Sequence, residues 1–211
     1  MREVGMKGKF ITFEGAEGSG KSTQSRMAAD YLQAQGKKVL FIREPGGVKI
    51  SEAIRRILLD VESEGMTKEC ETLLYMAARS QLVAEVIAPA LKKGTIVLCD
   101  RFLDSTVVYQ GYGCGVDIKF IKQVGKFATQ GIAPDLTFLF DIETKKGLSR
   151  KGAVKDRIEQ RSLQYHNRVR QGYLKLAHQE PRRIKKIVVD REREAIFQVV
   201  KKHIDQLLHL Y

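Results

Sequence analysis

Eight consecutive residues, Gly15-Ala16-Glu17-Gly18-Ser19-Gly20-Lys21-Ser22, fit the pattern G-x-x-x-x-G-K-[ST], and Thr23 follows them. A short β-branched and aromatic run, Lys9 to Glu14, precedes the pattern. Helical spacing through Met27, Ala28, Tyr31 and Leu32 follows it, closed by Gly36. The motif therefore lies between a strand and a helix, where its chemistry needs it. Glycines let successive backbone N–H groups turn inward around phosphate oxygens, and the helix N-terminus adds a favourable dipole. Lys21 would bridge the β- and γ-phosphates, and the Ser22 hydroxyl would ligate Mg²⁺. A fortuitous Gly-rich turn would have to reproduce both pattern and context. The segment predicts a nucleoside triphosphate site, with contacts running from Gly15 through Thr23.

The loop does not name a reaction, because GTPases, motor ATPases and small-molecule kinases share it. The N-K-x-D segment by which GTP-binding switches read guanine is absent from the sequence. Four other segments could serve an acceptor. Arg43-Glu44-Pro45-Gly46-Gly47 follows a strand-like run, Val39 to Arg43. Tyr75 and Arg79 stand four apart on a helical stretch, so ring and guanidinium share one face. Asp100-Arg101-Phe102 leads to Ser105 and then Tyr109-Gln110-Gly111, and Asp156-Arg157-Ile158-Glu159 lies further on. An arginine fork suits bidentate phosphate binding, although an isolated arginine at a strand end could equally be a surface ion pair. Asp100 could help hold Mg²⁺ or could cap the next turn.

These residues need a frame. Apolar runs at 95–99 and 136–141 suit central parallel strands covered on both faces, and Lys186 to Asp190 reads as a fifth strand. Helical stretches are expected at 21–35, 51–60, 68–92, from an Asp117 cap through Phe127, at 158–178 and at 192–209. Five strands separated by helices predict an α/β fold, a doubly wound five-stranded parallel sheet flanked by helices, as one domain over 1–211. The 211 residues carry a net charge of +12, and residues 145–211 hold 18 basic against 7 acidic side chains. Such a bias points to an anionic partner or to a solvated basic helical face. No apolar run is long enough for a membrane span, and the N-terminus lacks a signal-peptide pattern. Cys70, Cys99 and Cys114 stand far apart without metal spacing, so neither a disulfide framework nor a metal cluster is expected. The four histidines, His166, His178, His203 and His209, read as surface residues.

Taken together, the phosphate loop, R-E-P-G-G, D-R-F-x-x-S with the following Y-Q-G, and D-R-I-E resemble the thymidylate kinase family. The resemblance runs from Phe10 to about residue 178 and more weakly through the last helix. It implies a P-loop nucleotide kinase that phosphorylates dTMP to dTDP with Mg²⁺-ATP. Arg43 and Arg101 match arginines holding the acceptor phosphate, with Pro45 in the turn beside them and a possible cis Glu44–Pro45 bond. Tyr75 matches the aromatic residue stacked on thymine, and Arg79 and Gln110 match residues that bond its edge. Glu17 matches an acidic residue near the acceptor sugar, Ser105 and Tyr109 line the cleft, and Ser22 with Asp100 would hold the metal.

One subclass of the family carries an arginine inside the phosphate loop, where this chain has Gly18. The resemblance is therefore to the subclass whose cations come from a mobile lid, here about 145–157. Arg150 is the first candidate for the catalytic cation and Arg157 the second, beside Lys21 and Arg101, with Lys151 and Lys155 as substitutes. The bulky Tyr112 in Gly111-Tyr112-Gly113 departs from the family's pattern near the acceptor. The resemblance also implies a homodimer formed by helices, through apolar positions of 118–127 and 73–87. A cytoplasmic enzyme without nucleic-acid or membrane partners is expected. Other readings are a kinase of a different nucleoside monophosphate or of a deoxynucleoside, a P-loop ATPase binding nucleic acid, and a non-catalytic nucleotide-binding subunit.

Overall fold

The computed structural model describes residues 8–150, 152 and 156–210. The apolar runs form five strands: β1 (Phe10–Gly15), β2 (Val39–Arg43), β3 (Ile96–Asp100), β4 (Leu136–Asp141) and β5 (Ile184–Val188). All pair in parallel, in the order β2-β3-β1-β4-β5. Nine α-helical segments are described: α1 (Lys21–Ala34), α2 (Lys49–Leu59), α3 (Lys68–Leu82), α4 (Ala88–Lys92), α5 (Leu103–Thr106), α6 (Ile118–Ala128), α7 (Thr144–Ser149), α8 (Leu163–Gln179) and α9 (Arg193–Leu208).

Alternation along the strands fills both faces of the sheet. Ile11 and Phe13 of β1, Leu98 of β3, and Phe138 and Phe140 of β4 pack against Ala28 and Leu32 of α1 and Val200 and Ile204 of α9. Their neighbours point the other way. Phe10, Val97 and Cys99 meet Leu82, Val83 and Ile87, and Leu139 meets Val169 and Tyr173 of α8. This period-2 division is what a parallel sheet covered on both faces requires. Its register also sets the site. Phe13 of β1 and Arg43 of β2 both lie opposite Asp100, so β2 and β3 end level while β1 runs two residues further, to Gly15. Strands β3 and β4 flank β1 on opposite sides, which makes the carboxyl end of β1 a topological switch point, where open α/β sheets bind ligands.

Several boundaries differ from the sequence-based expectation, each for a local reason. The helix expected at 158–178 begins at Leu163, because Ser162 caps it by accepting from the Tyr165 N–H. Asp156 meanwhile accepts from the N–H groups of Ile158 and Glu159, holding them in turns. The fifth strand spans Ile184–Val188 instead of 186–190, since its pairing partner β4 ends at Asp141 opposite Val188. The helix expected over 68–92 passes through a π-helical stretch, Val83–Ile87, before α4 and so ahead of Pro89. A second π-helical stretch, Val107–Gly113, was not anticipated, nor were α5 and α7. His166 is not a surface residue: it is 1% exposed, and burial pushes its imidazole pKa down. Cys70, Cys99 and Cys114 are free thiols. Among the described residues, no helix is long and apolar enough to cross a membrane.

Candidate active site

The strand-to-helix loop folds as its glycines dictate. Gly15, Gly18 and Gly20 all have positive φ, and Gly20 caps α1, whose first residues are Lys21 and Ser22. Gly18 is also a point of close approach: a Cβ there would lie 2.0 Å from the carbonyl oxygen of Gly147 in α7. Gly147 in turn has room for no Cβ, since one would lie 2.4 Å from the Glu17 carbonyl oxygen. Backbone therefore meets backbone where α7 seats on the loop. A side chain at position 18, as in the subclass with a loop arginine, is incompatible with this seating.

A single cleft beside the loop collects most of the residues singled out in the sequence. Glu17, Lys21 and Ser22 from the loop, Arg43 and Pro45 from the turn after β2, and Tyr75 and Arg79 from α3 all line it. So do Asp100, Arg101, Ser105, Tyr109 and Gln110 from the end of β3 and the segments that follow. Gly15, Ala16, Gly18, Ser19, Gly20 and Thr23 complete the adjoining loop and α1 start without lining the cleft. The Glu44–Pro45 bond is cis. Tyr112 lies elsewhere, packed against Gly172 of α8 with the Lys175 ammonium over its ring.

Arg101 adopts φ 72°, a left-handed conformation that an arginine rarely takes. This sharp turn after β3 sends its guanidinium to Glu17, at 2.7 Å, and to the Ser105 hydroxyl, at 3.1 Å, with the Tyr109 ring 4.9 Å beneath. Arg43 pairs with Glu52 at 3.1 Å and donates to the Pro45 carbonyl. Arg79 is buried: Nε and Nη2 hold Glu44, Nη2 also reaches the Phe102 carbonyl, and Nη1 meets the soft Sδ of Met76 at 3.4 Å. Nη1 is thus its most available donor. Burial holds the Tyr75 phenol well above its ordinary pKa, so the ring presents a neutral face. Gln110 donates from Nε2 to Glu71 at 2.7 Å.

Ser22 Oγ donates to Asp100 Oδ2 at 2.5 Å, while Asp100 Oδ1 is buried without a hydrogen-bond partner among the described residues. A hydroxyl and a carboxylate with an unused oxygen at the phosphate loop form a hard-oxygen donor set that fits Mg²⁺. Among the described residues no cluster of three or more His, Cys, Asp or Glu side chains could hold a metal.

The two lid arginines fall outside the cleft lining. Arg150 is exposed and donates to the Gly18 carbonyl at 3.3 Å, beside the loop. Arg157, expected as a second catalytic cation, is instead a buried anchor, bonded to the Leu58 carbonyl and to Glu71. A buried carboxylate in the first turn of α3 captures it. Lys151 and Lys155 lie outside the described residues.

The cleft also holds residues the sequence reading passed over, among them Arg55, Thr106, Asp156 and Glu159. Arg55 donates to the Pro45 carbonyl at 2.8 Å and sits two turns into a helix with no motif of its own. Thr106 carries a buried hydroxyl without a partner among the described residues. Asp156 and Glu159 belong to a segment noted for its resemblance but given no separate role. Glu14, at the end of β1, was missed as well. Wholly buried, it accepts from the Phe102 N–H, Ser105 and Tyr173, and so holds up the turn that carries Arg101.

Burial, followed by the nearby Asp104 charge, pushes the Glu14 carboxyl up to about 7 from an ordinary 4.5. Between those values the folded chain holds a proton that the unfolded chain has released. This group's contribution to stability therefore falls as pH rises through that window, by roughly 3 kcal/mol in all. Urea unfolding at pH 5 and pH 8 should show wild type losing more stability than Glu14→Gln over that range. Equal losses would contradict the assignment.

Comparisons with known proteins identify the family. Residues 13–200 match the family model described as thymidylate kinase. A thymidylate kinase of Pelotomaculum thermopropionicum is 44% identical over 209 residues, covering 98% of this chain and 97% of the relative. One from Syntrophotalea carbinolica is 50% identical over 189 residues, covering 86% and 87%. The crystal structure of thymidylate kinase from Ehrlichia chaffeensis superposes with a TM-score of 0.79 at 33% identity, covering 93% of this chain and 98% of that one.

Proposed function

The chain belongs to the thymidylate kinase family of enzymes, and we propose that it transfers the γ-phosphoryl group of Mg²⁺-ATP directly to dTMP, giving dTDP and ADP for dTTP synthesis. The observation that carries this reading is the cleft itself. It joins the phosphate loop, through arginines, to a ring, a guanidinium and an amide suited to a pyrimidine base.

In this reading Lys21 draws charge from the β- and γ-phosphates, and the loop N–H groups hold them in place. Ser22 and Asp100 would hold Mg²⁺, which when bound neutralises phosphate charge. Arg43 and Arg101 hold the acceptor 5′-phosphate with one oxygen facing the γ-phosphorus, in line with the bridging oxygen that departs on ADP. Glu17 accepts from the sugar 3′-hydroxyl, and Ser105 and Tyr109 shape the wall beside it. Tyr75 stacks on the base, a contact of roughly 1–3 kcal/mol. Arg79 donates from Nη1 to a base carbonyl, and Gln110 offers its amide to the neighbouring ring N–H. No covalent intermediate on the protein is needed, since positioning and electrostatics suffice.

The whole chain acts as one kinase domain whose segment at about 145–157 closes over ATP. Arg150, next to the phosphate loop, supplies the lid cation, while Arg157 anchors the segment behind it. Arg150→Ala should then lower kcat by about 10- to 100-fold with little change in the KM for dTMP. An unchanged kcat would remove Arg150 from the mechanism.

The enzyme acts in the cytoplasm as a homodimer, with the exposed Leu73, Phe120 and Phe127 of α3 and α6 as the shared apolar face. Nucleic acid and membranes are not partners. Part of the basic excess at the C-terminal end is internal, in the pairs Arg161–Glu71, Arg170–Asp141 and Arg183–Asp104. ADP release with Mg²⁺-ATP and dTMP, dUMP, dGMP, dCMP or thymidine in parallel tests the acceptor assignment. Preference for dTMP is expected. Turnover only with another monophosphate or with thymidine would overturn it.

A further inference from the structure

Gln110 can read a base only if its amide faces the right way. An amide presents a donor at one end and an acceptor at the other, and the two differ little in shape. Left free, it would serve a base with a ring N–H or a base with a bare ring nitrogen about equally. The residue that removes this freedom is Glu71, which is 0% exposed and contacts Gln110 from α3.

The carboxylate of Glu71 is divided between two tasks. Its Oε2 is held by Arg157 and by Arg161, each at 2.6 Å. Its Oε1 accepts from Gln110 Nε2 at 2.7 Å. A carboxylate flanked by two guanidinium groups only accepts hydrogen bonds, so the amide end beside it must be the NH₂. Turning the Gln110 amide over would set its carbonyl oxygen against a carboxylate oxygen in a buried site, a repulsive and costly arrangement. The carbonyl end of Gln110 is thus the end left for the cleft that this residue lines.

We propose that Glu71 is a specificity-determining positioning residue: it locks the Gln110 amide so that the site accepts a base bearing a ring N–H and disfavours one bearing an unprotonated ring nitrogen. Thymine and uracil have that N–H at N3, and cytosine does not. The inference rests on the base-reading role given to Gln110 above. Arg157 and Arg161 enter it as the clamps that fix which carboxylate oxygen faces Gln110. The lid-side anchor and the base-reading amide therefore share one buried carboxylate.

The informative variant is Glu71→Gln. Its side chain must turn its oxygen to Arg157 and Arg161, which only donate, and so its NH₂ to Gln110. Gln110 then has to offer its carbonyl to that NH₂ and turn its own NH₂ toward the base. The ratio of kcat/KM for dTMP to that for dCMP should fall at least tenfold, with dTMP losing and dCMP gaining. Arg79, unaltered in both proteins, contributes equally to the two ratios. Glu71→Asp guards against misfolding, because it keeps a charge for the arginines while withdrawing it from Gln110. It should lower the same ratio by a smaller factor. If both variants lose activity toward dTMP and dCMP in proportion, with the ratio intact, Glu71 is only structural and the inference is wrong. Gln110→Leu separates the two layers. A Gln110→Leu ratio equal to wild type would remove the base-reading role itself. A lowered Gln110→Leu ratio beside an intact Glu71→Gln ratio would leave that role standing and overturn the lock.

Discussion

Replacing Lys21 with methionine should lower kcat about 1000-fold while leaving the melting temperature within a few degrees of wild type. Lys21 starts α1 at the carboxyl end of β1, lines the cleft and is 8% exposed. In the proposed reaction its ammonium serves the charge that accumulates as the β–γ bridge breaks. Removing one preorganised donor from such a position costs about 100- to 1000-fold, and cations serving phosphoryl transfer lie at or above the upper end. Methionine keeps most of the unbranched aliphatic stem, so packing changes little. Single-turnover quench-flow, with enzyme in excess over dTMP and ATP saturating, reads the chemical step directly. A kcat within threefold of wild type would mean that Lys21 carries no transition-state charge.

The second large effect is expected at Arg101, where loss of function and loss of stability can be separated. Its φ of 72° suits glycine far better than arginine. Arg101→Gly therefore relieves backbone strain while deleting the guanidinium. Two charge-assisted hydrogen bonds to an acceptor phosphate correspond to about 3–4 kcal/mol. The kcat/KM for dTMP should fall by about 100- to 1000-fold with the KM for ATP near wild type. Glu17 would lose its ion pair but keep the Tyr109 hydroxyl, which donates to it at 2.9 Å. Proportional loss of affinity for both substrates would instead make Arg101 a support for the phosphate loop.

Much of this was legible before any coordinates, and particular residues show why. The phosphate loop is written in consecutive residues whose backbone needs are local, so Gly15, Gly18 and Gly20 announce it. The parallel sheet followed from alternating strands and helices, because parallel pairing demands a crossover each time, whereas the strand order came only with the fold. Residues at the carboxyl ends of strands, such as Arg43 and Asp100, could be placed near the cleft by that position alone, and the register then set them opposite each other. What stayed hidden depends on partners far away in sequence. Glu71 is one of two acidic residues on α3, and only packing reveals that it gathers Gln110, Arg157 and Arg161. The same packing turns Arg157 from a lid cation into an anchor. Glu14 reads as the end of a strand until Phe102, Ser105 and Tyr173 close over it. The π-helical stretch at Val107–Gly113, an uncommon wide turn of the kind found at functional sites, carries Tyr109 and Gln110 and has no short sequence signature.

The most direct test of the central claim is ³¹P NMR of the enzyme with Mg²⁺, ATP and dTMP, followed until ATP is half consumed. Transfer within this cleft predicts dTDP and ADP appearing in equal amounts, with no comparable rise in inorganic phosphate. ADP and inorganic phosphate formed in equal amounts, with dTMP unchanged, would identify an ATPase and contradict the account.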